Sequence, residues 1–94
     1  MLAGMIERHY VWLIKMGYTT ATPLESLALI TSEIGEAANE CRHGTPTPQF
    51  GEELADIVLR TLGLARRLGI DIESLMLAKI EKNEASGDNR GRLI

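Results

Sequence analysis

Apolar residues recur along the chain at helical spacing, and no stretch alternates strictly between polar and apolar, so the pattern predicts four helices and no strand. The first covers about residues 3–16, with Met5, Ile6, Val11, Trp12 and Leu13 as its buried face, and Gly17 ends it. Thr22-Pro23-Leu24-Glu25 combines a capping box with proline at the first helical position and starts a second helix over about 23–42. His43-Gly44-Thr45-Pro46-Thr47-Pro48 breaks the periodicity and reads as a loop. A third helix follows from Pro48 to about Leu68, closed by Gly69. Asp71 is placed to cap a fourth, through Met76, Lys79 and Asn83 to about Gly87. The class is all-α, a single helical domain over 1–87 with a polar tail over 88–94 carrying Arg90 and Arg92.

The third helix is apolar on more than one side, with Leu54, Ile57, Thr61, Leu64 and Leu68 on one face and Ala55, Leu59 and Leu62 on another. Such a helix needs cover from several directions, and four short helices supply little. The expectation is a four-helix bundle completed by homo-oligomerisation, as a homodimer or homotetramer, with helices two and three near the interface.

Length and charge narrow the classes. Ninety-four residues hold one domain. A net charge of -3 argues against a nucleic-acid partner, and no apolar run is long enough for a membrane span. Glu7 and Arg8 come too early for a secretory signal, and a lone cysteine, Cys41, fits a reducing compartment, so a cytoplasmic location is expected.

The acid is concentrated. Residues 33–56 hold Glu33, Glu36, Glu40, Glu52, Glu53 and Asp56 against Arg42 alone, a local charge of -5. Glu33 and Glu36 are three apart, as are Glu53 and Asp56, and an i,i+3 pair on a helix is a two-pronged oxygen donor. The two pairs are symmetric about Gly44-Thr45, so a hairpin folded there brings them to the same height. Both border the apolar sectors of their helices, Ile30, Ile34, Ala37 and Cys41 on one side, Leu54, Ile57 and Thr61 on the other. Four clustered carboxylates repel unless a cation compensates. All-oxygen, hard ligation points to Mg²⁺ or Mn²⁺ ahead of Ca²⁺. Zinc and di-iron centres want His or Cys spacings that His9, His43 and Cys41 do not offer.

Ser32-Glu33-Ile34-Gly35-Glu36-Ala37, followed by Glu52-Glu53-Leu54-Ala55-Asp56-Ile57, resembles the E-x-x-E…E-x-x-D signature of the MazG-like nucleotide pyrophosphohydrolases. The likeness continues through Leu68-Gly69-Ile70-Asp71 and Lys79-Ile80-Glu81-Lys82-Asn83, and covers about residues 22–83. It implies an all-α, Mg²⁺-dependent enzyme that converts a nucleoside triphosphate to the monophosphate and pyrophosphate, assembled as dimers or tetramers. It also implies Glu33, Glu36, Glu53 and Asp56 as metal ligands and catalytic residues, with Lys79 and Asn83 at the phosphate-side positions. Two other activities stay open. One is a related phosphoribosyl-ATP pyrophosphohydrolase. The other is a helical interaction module that has lost catalysis, raised by Ser32 where relatives carry a further glutamate.

Among the remaining residues, Gly35 inside a helix is read as a close helix contact beside the acids. Trp12, Tyr10 and Phe50 are assigned to core or interface packing, His9 and His43 to exposed positions, and Cys41 to the core. Arg60 is read as a counter-ion to the carboxylates.

Overall fold

The computed structural model describes residues 1–86. The expected boundary at Gly87 and the tail with Arg90 and Arg92 lie outside the described residues. Four helices and no strand are present among them: α1 (Leu2–Met16), α2 (Pro23–Asn39), α3 (Pro48–Arg67) and α4 (Ile72–Ser86). The all-α expectation is met.

The helix ends follow from local chemistry. At Thr22 the hydroxyl accepts from the Glu25 N–H (3.1 Å) and the Glu25 carboxylate accepts from the Thr22 N–H (2.8 Å), the reciprocal capping box. Asp71 caps α4 by accepting from the Ser74 N–H at 3.2 Å and the Ser74 hydroxyl at 2.7 Å. Gly17 and Gly69 take left-handed φ values of 76° and 71°, which favour glycine and stop α1 and α3. α2 ends at Asn39, three residues short of the expected Arg42. From Glu40 on, backbone bonds reach back three residues (Cys41 to Ala38, Arg42 to Asn39), so the chain tightens into turns instead of prolonging the helix. The loop is clasped at its base, where the Thr47 hydroxyl donates to the Glu40 carboxylate and the Thr47 N–H to the Glu40 carbonyl. Thr47 therefore makes no side-chain cap for α3, and Glu40 is tied to the loop.

α3 is the central element, with α2 folded back along one side and α1 packed on another, while α4 meets the chain chiefly at the end of α3. The α1 packing face differs from the expected one. Leu2, Ile6, His9, Tyr10 and Leu13 are its shielded positions, and Met5, Val11 and Trp12 are exposed. Positions 2, 6, 9 and 13 share one stripe at 3.6 residues per turn, whereas the expected set spreads over too wide an arc. The contact is closest at Gly63, where an added Cβ would meet Leu13 Cδ1 at 3.0 Å and the His9 ring at 3.4 Å. Arg66 pins the same interface, donating to both Glu7 oxygens (2.8 and 3.2 Å) with its guanidinium carbon 4.2 Å from the Tyr10 ring centre.

The core is small: Ile30, Ala37, Leu62 and Ala65 are its buried apolar residues. Ile34, expected in the apolar sector of α2, is exposed, as are Leu54 and Leu68 of the expected α3 face. α1 and α4 bury no residue fully.

Candidate functional site

On α2 the inward positions are Ser26, Ile30, Glu33 and Ala37, a three-and-four spacing that faces α3 and runs on into Glu40 and Cys41 of the following turn. Glu33 thus lies between two buried core residues, in the helix seam itself and not at its edge. Its counterpart on α3 is Glu53, half-buried between Phe50 and Ile57. One oxygen each of Glu33, Glu53 and Asp56 lies within 4.8 Å of the others. The hairpin therefore converges three of the four predicted ligands. Glu36 is exposed and stands outside this group, although its charge acts on Glu53.

The three carboxylates are not equivalent. Glu33, its side chain 16 % exposed, is paired with Arg60 Nη2 at 3.2 Å, so Arg60 is the expected counter-ion. Glu53 Oε1 accepts from the Gln49 amide at 3.5 Å, while Oε2 is buried with no hydrogen-bond partner among the described residues. Burial pushes the Glu53 carboxyl above its ordinary range, the neighbouring Glu33 carboxyl and the charges of Glu36 and Glu33 act in the same direction, and the Gln49 amide opposes them. Asp56, one turn beyond Glu53, is exposed and opens the cluster to solvent.

A buried carboxylate oxygen without a donor is costly unless something positive completes it. An all-oxygen set suits a hard divalent cation. Oxygens at about 2.1 Å from an octahedral Mg²⁺ ion are about 3.0 Å apart when adjacent and about 4.2 Å when opposite, so the three carboxylates would draw together around one. The donor set fits the cation.

Lys79 and Asn83 are not brought to this cluster. Both are exposed on α4, which packs near the far end of α3, and neither lines the cavity beside Asp56.

That cavity, about 600 Å³, lies between α1, α2 and α3. Asp56 and Arg60 stand on its wall together with His9, Trp12, Tyr18 and Arg67. The Trp12 indole stacks on the His9 ring (centroids 5.8 Å apart, 22° between planes) and meets the Tyr18 ring edge-on at 5.8 Å. His9 is accordingly a half-buried stacking partner instead of an exposed residue, and Trp12, assigned to packing by its sequence context, is 47 % exposed. Arg67 and Ser26, joined by a 3.0 Å hydrogen bond, were not among the residues singled out from the sequence. The available signal was the helical spacing of Arg60, Gly63 and Arg67 from Asp56.

The profile of the MazG-like family matches residues 28–91, more than half of the chain and inclusive of all three converging carboxylates. The chain belongs to the MazG-like family. No curated protein and no solved structure matches it significantly. MazG-like proteins are of nucleotide pyrophosphohydrolase type, so the membership carries a hydrolase in coarse terms. The MazG-like match begins within α2, so Trp12, Tyr18 and Ser26 of the cavity wall lie before it.

Proposed function

We propose that this chain is a Mg²⁺-dependent nucleoside triphosphate pyrophosphohydrolase, cleaving an NTP or dNTP to the monophosphate and pyrophosphate. The observation that carries the reading is the convergence of three carboxylates from two helices, one with a buried and unpartnered oxygen, on the wall of a nucleotide-sized cavity. Glu33, Glu53 and Asp56 hold the ion, and Glu36 adds charge from the rim. Mn²⁺ is an acceptable substitute. A bound divalent ion supplies neutralisation of phosphate charge and a lowered pKa for its water. Without it a triphosphate would be repelled by residues of net charge -5. Arg60 orients Glu33 and keeps the carboxylate set from splaying apart.

Assembly belongs to the same reading. Leu75, Met76, Leu77 and Ile80 are exposed along α4 among the described residues, where α4 packs chiefly on α3. A second copy of the chain packed there would bury them, forming a homodimer or, by repetition, a homotetramer. The same packing offers Lys79 and Asn83 a route to the phosphates of a neighbouring site.

The test is a panel of ribo- and deoxyribonucleoside triphosphates with Mg²⁺, including phosphoribosyl-ATP, read out as pyrophosphate. Pyrophosphate formed in step with monophosphate and lost in EDTA is the expected result. Release of orthophosphate, or no turnover across the panel, overturns the reading, and the latter favours the helical interaction module.

A further inference from the structure

Resting on the pyrophosphohydrolase reading, we infer that the cavity between α1, α2 and α3 receives the base of the nucleotide and selects a base with a keto acceptor, not an amino group, at purine C6 or pyrimidine C4. Guanine, uracil and thymine qualify, while adenine and cytosine are disfavoured.

Geometry carries the first half. Asp56, Leu59, Arg60, Gly63, Leu64 and Arg67 all line the cavity, and they form one continuous stripe of α3. The stripe starts at the carboxylates and ends at Arg67, eleven residues or about 16.5 Å further along the helix axis. A substrate whose phosphates are held at Asp56 has its remainder laid along this stripe. Opposite the middle of it, across Gly63, α1 delivers the His9–Trp12 stack, and Tyr18 closes against the indole edge. The absence of a side chain at Gly63 lets the two helices come this close. Aromatic rings exposed at a cavity joined to a phosphate-binding end are stacking platforms for a base, and stacking of this kind tolerates every base. It therefore supplies affinity without choice.

Arg67 supplies the choice. Its guanidinium is half-buried and, among the described residues, has no carboxylate within ion-pair distance. Its Nη2 donates to the Ser26 hydroxyl oxygen at 3.0 Å, which leaves the Ser26 hydroxyl proton free to be given elsewhere. Guanidinium is donor-only, so the Arg67–Ser26 pair offers mainly donors to the cavity. Guanine meets them with O6 and N7, and uracil and thymine with O4. Adenine and cytosine place an amino group at the corresponding edge, and two donors then face each other.

The experiment uses the chain's single tryptophan as its own probe. Trp12 fluorescence is titrated with GMP, dUMP, dTMP, AMP and CMP in Mg²⁺, with inorganic tripolyphosphate as the arm lacking a base. Saturable quenching by the keto bases, about tenfold or more weaker for AMP and CMP, is the expected result. Arg67→Gln, whose amide both donates and accepts, should level the five affinities, and Arg67→Lys should keep part of the preference. Equal affinity for all bases in the wild type overturns the keto assignment. No saturable response to any base overturns the placement, as does quenching by tripolyphosphate alone. A shift in Trp12 emission that follows protein concentration but not nucleotide means that a second copy fills the cavity, which also overturns it. Monophosphate binding needs no turnover, so quenching without pyrophosphate release would defeat the catalytic reading alone. Release without quenching would defeat this inference alone.

Discussion

Replacing Glu53 with glutamine removes one charge and almost no volume, which separates the electrostatics of the carboxylate cluster from its packing. In the metal-free protein the ionised Glu53 side chain faces Glu33 and Glu36 with one oxygen buried and unpartnered. The amide of the variant carries no charge and can donate towards Glu33, so metal-free Glu53→Gln should melt above metal-free wild type. With a divalent ion the order should reverse. An ion present at 100 times its Kd stabilises the folded state by about 2.7 kcal/mol. Outer-sphere partners of metal ligands are worth about 10- to 100-fold in affinity, so loss of a direct ligand should weaken binding at least about 100-fold. At the same ion concentration the variant then gains only about 0.4 kcal/mol. The missing 2.3 kcal/mol or so corresponds to about 9–18 °C, at about 4–8 °C per kcal/mol for a domain of this size. Thermal melts followed by circular dichroism, in EDTA and across an Mn²⁺ or Mg²⁺ titration, measure both arms. A wild type whose melting point ignores the ion would refute the reasoning, and so would a variant that melts below wild type in EDTA.

Asp56→Ala should abolish Mg²⁺-dependent pyrophosphate release while far-UV circular dichroism stays unchanged, and Glu36→Ala should cost less activity because Glu36 stands outside the converging set; equal losses would show that four ligands are needed. Thr22→Ala breaks the capping box and should destabilise by about 1 kcal/mol, read as a fall of about 4–8 °C in Tm. Glu7, Glu25 and Asp71 are held below their ordinary values by the Arg66 hydrogen bond, the Thr22 backbone N–H and the Ser74 hydroxyl respectively. Carboxyls lowered on folding stabilise the native state above their unfolded values, here 4.5 for Glu7 and Glu25, and lose that contribution as the pH falls through the folded ones. The gap in urea midpoint between wild type and Glu25→Gln should therefore be full at pH 7 and shrink as the pH falls below 4.5. Gly35→Ala meets nothing within 4 Å, so it should stabilise the chain by about 0.5–1 kcal/mol through helix propensity. A loss in Tm that grows with protein concentration would instead place α2 against a second copy.

The open surroundings of Gly35 correct the expected close helix contact there, and they illustrate where sequence reading ran out. Apart from the end of α2, helix starts and stops were legible because their chemistry is local: Thr22 with Glu25, Asp71 with Ser74, and the left-handed turns at Gly17 and Gly69 each involve residues a few positions apart. The pairing of Glu33 with Glu53 and Asp56 was legible for a related reason. A short loop allows only one antiparallel return, and equal spacing about that loop brings the acids level. Which side of each helix turns inward was not legible. α1, α2 and α3 carry apolar residues over more than half their circumference, so Trp12, Ile34 and Leu54 looked as buriable as Leu13, Ile30 and Leu62. Only the crossing of three helices chooses among them. The same crossing put Glu33 inside the seam instead of on its rim, left Glu36 outside, and set Arg67 and Ser26 on a common wall though they are 41 residues apart. Caps and turns rest on hydrogen bonds between neighbours in the chain and are written residue by residue. Burial and convergence are sums over distant surfaces, and only the folded arrangement of the helices decides them.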